Sequence, residues 1–276
     1  MKVACKSYHK LIILFISSLL LFFHLYTEGS RAFALSVEEE KILGQKFLAK
    51  VHKYFDLVDD DFANEYINGL GHYLISPLET KHFPYSFYII KDNALNAFAA
   101  PGGHIFIFSG LIEVMDEIDE LASVICHEIG HVAARHLAHR IEQTKKVGLA
   151  TTAGMLAGIL IGGKAAGAIV AGSKAASIQK LLSYSRNDER HADQLGFKYM
   201  DQAGFDPSGM ITTLKKIQQG HWLGTNRFPS YLLTHPGVPE RMSNVESMMT
   251  HYIRKPENRK AAKFRRLFPS YKTVLR

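Results

Sequence analysis

The segment His127-Glu128-Ile129-Gly130-His131 sets two imidazoles four positions apart, with a carboxylate next to the first. On an α-helix, positions i and i+4 share a face one turn apart, so both rings can reach one tetrahedral Zn²⁺. Glu128 lies beside the pair without standing at a ligand spacing. From there its carboxylate can take a proton from a water that the cation has acidified, which is metal-assisted peptide hydrolysis. Ile118, Leu121, Ile125, Ile129, Val132, Leu137 and Ile141 recur at helical spacing from Asp116 to Gln143. The motif is therefore predicted on a buried helix, the context it needs.

A second charged run lies downstream, Ser185-Arg186-Asn187-Asp188-Glu189-Arg190-His191-Ala192-Asp193. Glu189 can complete the zinc site and leave one position open for water, as catalytic zinc requires. Asp193, one turn further, can accept the second N–H of a ligating imidazole and fix its tautomer. Taken alone, such a run is a solvated helix turn. The paired histidines upstream give it chemical meaning.

These two segments and Thr234-His235-Pro236-Gly237-Val238-Pro239-Glu240-Arg241 resemble the three signatures of the M48 metallopeptidases. Asn96-Ala97-Phe98-Ala99 and Pro101-Gly102-Gly103-His104-Ile105 resemble that family's strand pair, and the resemblance spans about residues 65–245. It implies a gluzincin-type fold holding one Zn²⁺ per chain. His127, His131 and Glu189 would be the ligands, Glu128 the base, and Asp193 the support behind a ligating histidine. The nearest likeness is to the compact exported, Oma1-like members. The integral helices of the HtpX-like and Ste24-like branches are missing, and about 30 residues follow the last motif, too few for a tetratricopeptide domain.

Three further assignments follow. His235 has two readings: it donates a hydrogen bond to a developing oxyanion, or it approaches the metal and blocks it in a resting state. Arg241 is expected to brace its loop through Asp or Glu. An exposed strand edge from Asn96 to His104, with Gly103 between, is expected to receive an extended peptide by strand addition, with Asn96 gripping its backbone. That mode favours unfolded polypeptides.

The elements that must position these residues read as follows. Val37 to Leu57 has the period of an amphipathic helix, and a second helix starts after Asp59-Asp60-Asp61 and ends near Pro77. Tyr85–Lys91, Asn96–Ala100 and His104–Phe108 read as short strands. Helices are expected over 116–143 and 175–203, the latter stopped by Gly204, followed by a short helix opened by Pro207 and a last one to about Met249. This is an α+β fold, mainly helical with a small sheet. Cys126 precedes His127 and points about 100° away around the helix, which suits a buried apolar side chain. His136, His139, His52 and His72 read as surface or half-buried residues, and His191 as facing away from Glu189.

The first 34 residues read as a signal. Lys2, Lys6 and Lys10 precede an apolar run from Leu11 to Tyr26, and Ala32-Phe33-Ala34 offers the small-x-small pattern cleaved after Ala34. An uncleaved anchor is the alternative. The chain is thus expected outside the cytoplasm, in a bacterial periplasm or cell envelope. Cys126 is then its only cysteine, so no internal disulfide supports the fold. The net charge of +7 is concentrated at the ends, with nine Lys or Arg against one Glu in 251–276. Residues 35–250 are net acidic, which excludes a nucleic-acid-binding domain. The expected domain is 35–250, followed by a basic tail, 251–276. Within it, Ala/Gly-rich residues 148–173 read as a helical hairpin. Peripheral membrane contact through 148–173 or 251–276 stays open, as does a binding module with a closed structural zinc.

Overall fold

The computed structural model describes residues 35–143, 184–222, 230–256 and 258–275. The signal (1–34), the 148–173 hairpin and the start of the helix expected from residue 175 lie outside the described residues.

Helix α1 (Val37–Tyr54) opens on a capping box in which Ser36 accepts from the Glu39 N–H and Glu39 accepts from Ser36. Two orphan donors of the first turn are satisfied this way. Helix α2 (Asp61–Leu74) starts at Asp60, whose carboxylate accepts from the Ala63 N–H. Strands β1 (Ser86–Ile90), β2 (Ala97–Ala100) and β3 (His104–Phe108) form one sheet in the order β1-β3-β2. β1 runs parallel to β3, and β2 antiparallel. Then follow α3 (Ser109–Glu113), α4 (Ile118–Ala133), α5 (His136–Gln143), α6 (Arg186–Ala203), α7 (Ser208–Trp222), α8 (Ser230–Thr234), α9 (Val238–Met249) and α10 (Arg259–Val274). The α+β expectation holds.

Both sheet faces are apolar because both are covered. Phe87, Ile89, Ala97, Ala99, Ile105 and Ile107 pack with α2 and α4. Phe98, Ala100, Phe106 and Phe108 pack with Leu43, Phe47 and Val51 of α1 and with Leu137 and Ala138 of α5. The outer edge of β1 is closed by side chain as well as backbone. Asn68 donates to the Phe87 carbonyl at 3.0 Å and accepts from the Phe87 N–H at 3.2 Å. Next to it the Val58 N–H donates to Ile89 at 2.9 Å.

Two expectations change. The single helix over 116–143 is two helices, because Arg135 takes a left-handed backbone (φ 52°) between α4 and α5. Its guanidinium is held there by buried Glu40 at 2.9–3.0 Å. Such a conformation is costly for a residue with a Cβ and persists only where surroundings impose it. The second concerns the basic segment 251–276, most of which forms a docked helix. Helix α10 buries Ala261, Phe268 and Tyr271, with Tyr271 stacked on Tyr66 of α2 at 4.2 Å. Arg265 pairs with Asp119 and Lys255 with Asp201, each at 2.6 Å. No described helix is long and apolar enough to cross a membrane.

Candidate active site

Helices α4 and α6 cross in close contact, and glycine is the reason. A Cβ on Gly130 would meet the Ala192 carbonyl oxygen at 2.9 Å, and one on Gly196 would meet the His127 nitrogen at 3.2 Å. The approach brings His127, Glu128 and His131 of α4 against Glu189 and Asp193 of α6, all buried. Gly130→Ala is expected to push the helices apart, destabilising the chain by about 1–3 kcal/mol. Because the same shift moves Glu189 off the imidazole pair, metal affinity should fall with it, measurable by chelator competition.

His235, which follows α8, completes the cluster: one donor atom from each of His127, His131, Glu189 and His235 lies within 4.8 Å of the others. The Nε2 atoms of His127 and His131 are 3.0 Å apart. Glu189 oxygens stand 3.5 Å from the first and 3.3 Å from the second. His235 Nδ1 is 3.3 Å from His127 Nε2 and 3.1 Å from Glu189 Oε1. Donors placed about 2.0–2.1 Å from a tetrahedral Zn²⁺ stand about 3.3 Å from one another. The residues present therefore fit that ion. Beside them, both oxygens of Glu128 and the Nε2 of His235 are buried without a hydrogen-bond partner among the described residues. Glu128 Oε1 and His235 Nε2 are 3.5 Å apart.

Behind the donors lies a carboxylate–guanidinium brace. Asp193 Oδ1 is 2.8 Å from His127 Nδ1, which makes Nδ1 the donor to Asp193 and turns Nε2 toward the cluster. Arg241, from α9, grips both Asp193 oxygens, with Nε at 2.8 Å and Nη2 at 2.7 Å, and reaches Glu189 through Nη1 at 2.8 Å. His131 is supported differently. Its Nδ1 lies 2.9 Å from His136 Nδ1, and His136 Nε2 lies 3.1 Å from His191 Nδ1. Tyr184 stacks on His131 at 3.8 Å between ring centres, and Tyr231 on His235 at 4.3 Å.

The charge states follow from this packing. Burial pulls His131 well below its ordinary imidazole value and His136 to about 4, so both are neutral at pH 7. Burial also opposes charge on Glu189 and Asp193, yet both sit below the usual carboxylate range. His235 and Arg241 outweigh it at Glu189, Arg241 and His127 at Asp193. At His127, burial and Arg241 push downward, but Asp193 and Glu189 prevail and raise it to about 9.

The structure thus gathers His127, Glu128, His131, Glu189 and His235, with Asp193 and Arg241 behind them. Asn96 is buried at the start of β2, where the neighbouring Leu95 carbonyl accepts from the Tyr231 N–H at 3.3 Å. Gly103 and His104 are not brought to the cluster. A Cβ on Gly103 would strike Phe83 at 2.8 Å, and His104 turns to the α1 face of the sheet, 3.3 Å from the Tyr88 hydroxyl. That face is opposite the one α4 covers, and β3, which His104 opens, is already paired on both sides. His136 and His191, read as peripheral, belong to the site's support, and Tyr184 and Tyr231 were not foreseen. A continuous helix would set His136 about 140° from His131; the break at Arg135 swings it back. A cavity of about 610 Å³ lies elsewhere, beside β1, lined by Asp56, Asn64 and Asn68.

Comparison with known proteins agrees with this geometry. Residues 62–249 match the sequence profile of peptidase family M48. The chain is 33% identical over 217 residues to the beta-barrel assembly-enhancing protease of Escherichia coli K12, covering 77% of this chain and 44% of that protein. Its identity to the metalloprotease LoiP of the same organism is 31% over 172 residues, 60% of this chain and 62% of LoiP. With the mitochondrial metalloendopeptidase OMA1 of Schizosaccharomyces pombe it is 29% over 162 residues, 59% and 46% of the two chains. The chain thus spans a little under half the length of the beta-barrel assembly-enhancing protease it matches.

Proposed function

Since this chain belongs to peptidase family M48, we propose that it is a zinc metalloendopeptidase, with one Zn²⁺ per chain, that cleaves unfolded or misassembled cell-envelope proteins. The observation that carries the reading is the convergence of four buried donor atoms within 4.8 Å, with the unpartnered carboxylate of Glu128 beside them. Zinc held by His127, His131 and Glu189 would supply Lewis acidity toward water and the peptide carbonyl. Glu128 takes the proton of the attacking water and hands it to the leaving amine. Asp193 and Arg241 hold His127 and Glu189 in orientation, and His136 does the same for His131. Purified protein should carry about one zinc and degrade casein, and a chelator should remove both metal and activity.

The edge of β2 supports capture of an extended chain. The Phe108 N–H donates to the Asn96 carbonyl at 3.0 Å, so the next bonded pairs are Phe98 with Phe106 and Ala100 with His104. In an antiparallel ladder the alternate residues, Ala97 and Ala99, then direct their N–H and C=O groups away from β3. Ala97 and Ala99 are themselves 0% and 3% exposed, so a substrate strand must displace what covers them before it can pair there through its backbone. Action on envelope proteins draws on the name of the beta-barrel relative and on the signal-like first 34 residues, which together support an exported location. Any contact with anionic lipid is proposed through Arg259, Lys260, Lys263 and Arg266 on the exposed side of α10.

One observation favours a second reading, a zinc site closed by four protein ligands. His235 Nδ1 stands at ligand spacing, where it excludes the water that hydrolysis needs. We take this as a resting arrangement from which His235 withdraws. His235→Ala is then expected to retain zinc and to raise the initial rate of casein cleavage several-fold. A tenfold fall would assign His235 to oxyanion stabilisation instead.

A further inference from the structure

Leu35 directly follows the small-x-small pattern at Ala32-Phe33-Ala34, and it is docked. Its side chain is 8% exposed and packs in the layer of Leu43, Phe47, Leu137 and Ala138. Its N–H donates to Glu142 Oε1 at 2.7 Å, and its C=O accepts from Arg135 Nη2. Arg135 is in turn held by Glu40, which is 3% exposed. Arg135 thus serves Glu40, while Glu142 holds the Leu35 nitrogen. Burial first, and then the charge of Glu142, push the Glu40 carboxyl up against the pull of Arg135. The group lacks one positive charge, and the atom nearest Glu142 is the Leu35 nitrogen.

We propose that Glu142, Arg135 and Glu40 form a binding site for an α-ammonium group, and that its ligand is the chain's own N-terminus, created by cleavage after Ala34. The reaction is hydrolysis by a signal-cleaving endopeptidase. Water adds across the Ala34–Leu35 amide, Ala34 departs as a carboxylate, and the Leu35 nitrogen gains protons to become an ammonium. An amide nitrogen offers Glu142 one neutral donor. An ammonium offers three donors and the missing charge, and charge-assisted bonds of this kind are about twice as strong. Processing then locks the turn at Arg135, from which α5 carries His136 to His131. The inference rests on the leader being cleaved and not on the peptidase reading, so either stands if the other fails.

The test begins with N-terminal sequencing of the exported protein, expected to start Leu-Ser-Val-Glu. Chains starting at Leu35, released from a cleavable fusion, are then compared with chains that keep Phe33-Ala34, each with Glu142 and with Glu142→Gln. The extension should lower the melting temperature by about 3–6 °C when Glu142 is present and by under about 1 °C in Glu142→Gln. Acetylation of the Leu35 amine, which keeps an N–H and removes the charge, should reproduce the loss without any substitution. A mature N-terminus elsewhere, no cleavage, or equal shifts in both backgrounds would overturn the proposal.

Discussion

Glu128→Gln is expected to reduce casein hydrolysis by about 10³-fold or more while leaving about one zinc per chain. General-base catalysis contributes about 10²–10⁴ in rate, and a carboxamide of the same shape cannot take the proton. The exchange is also structurally mild. Glu128 is fully buried, and neither oxygen makes a hydrogen bond among the described residues, so the charge takes with it only the 3.5 Å approach to His235 Nε2. Relieving an uncompensated buried carboxylate can even raise the melting temperature. Metal analysis, thermal unfolding and casein cleavage on wild type and variant separate the outcomes. Full activity in a zinc-loaded variant would remove Glu128 from the mechanism.

Arg241→Ala is expected to produce the largest loss of stability of any single change at the site. The guanidinium binds Asp193 in a two-bond fork and forms an ion pair with Glu189 at 2.8 Å, all with 4% or less of each side chain exposed. Removing it deprives two buried carboxylates of a shared counter-ion, leaving Asp193 only His127 and Glu189 only the cluster histidines, a change that costs about 3–5 kcal/mol. For a domain of this size that is a fall of about 10 °C in melting temperature. The loss should be larger without metal than with it, because a bound cation supplies Glu189 with another positive neighbour. Arg241→Lys should recover little, since a single ammonium cannot span both carboxylates. Calorimetry with and without zinc tests this, and a shift under about 2 °C would show the fork to be dispensable.

The chemistry was legible because helical periodicity translates spacing into geometry. His127 and His131 fall on one face whatever surrounds them, and Glu189 and Asp193 do the same one turn apart. Long-range contacts were harder to read. The kink at Arg135 depends on Glu40 and Leu35, about a hundred residues earlier in the chain, so nothing local announces it. Which strand forms the edge was not legible either, because β3, with His104, is central only through its long-range pairing with β1. In α10 a readable period (Ala261, Phe264, Phe268, Tyr271) was overshadowed by the density of basic residues around it. Tyr184 and Tyr231 carry no spacing signature, since stacking on a histidine asks only for an aromatic ring at a suitable distance.

The carboxamide of Asn68 imitates a neighbouring strand, and so caps one margin of a three-stranded ribbon. The opposite margin, β2, is the one where the proposed substrate strand would become a fourth and terminal member. Under the proposed capture at β2, a bound strand would end the ladder, and the capped β1 margin would be spared pairing with other copies of the chain.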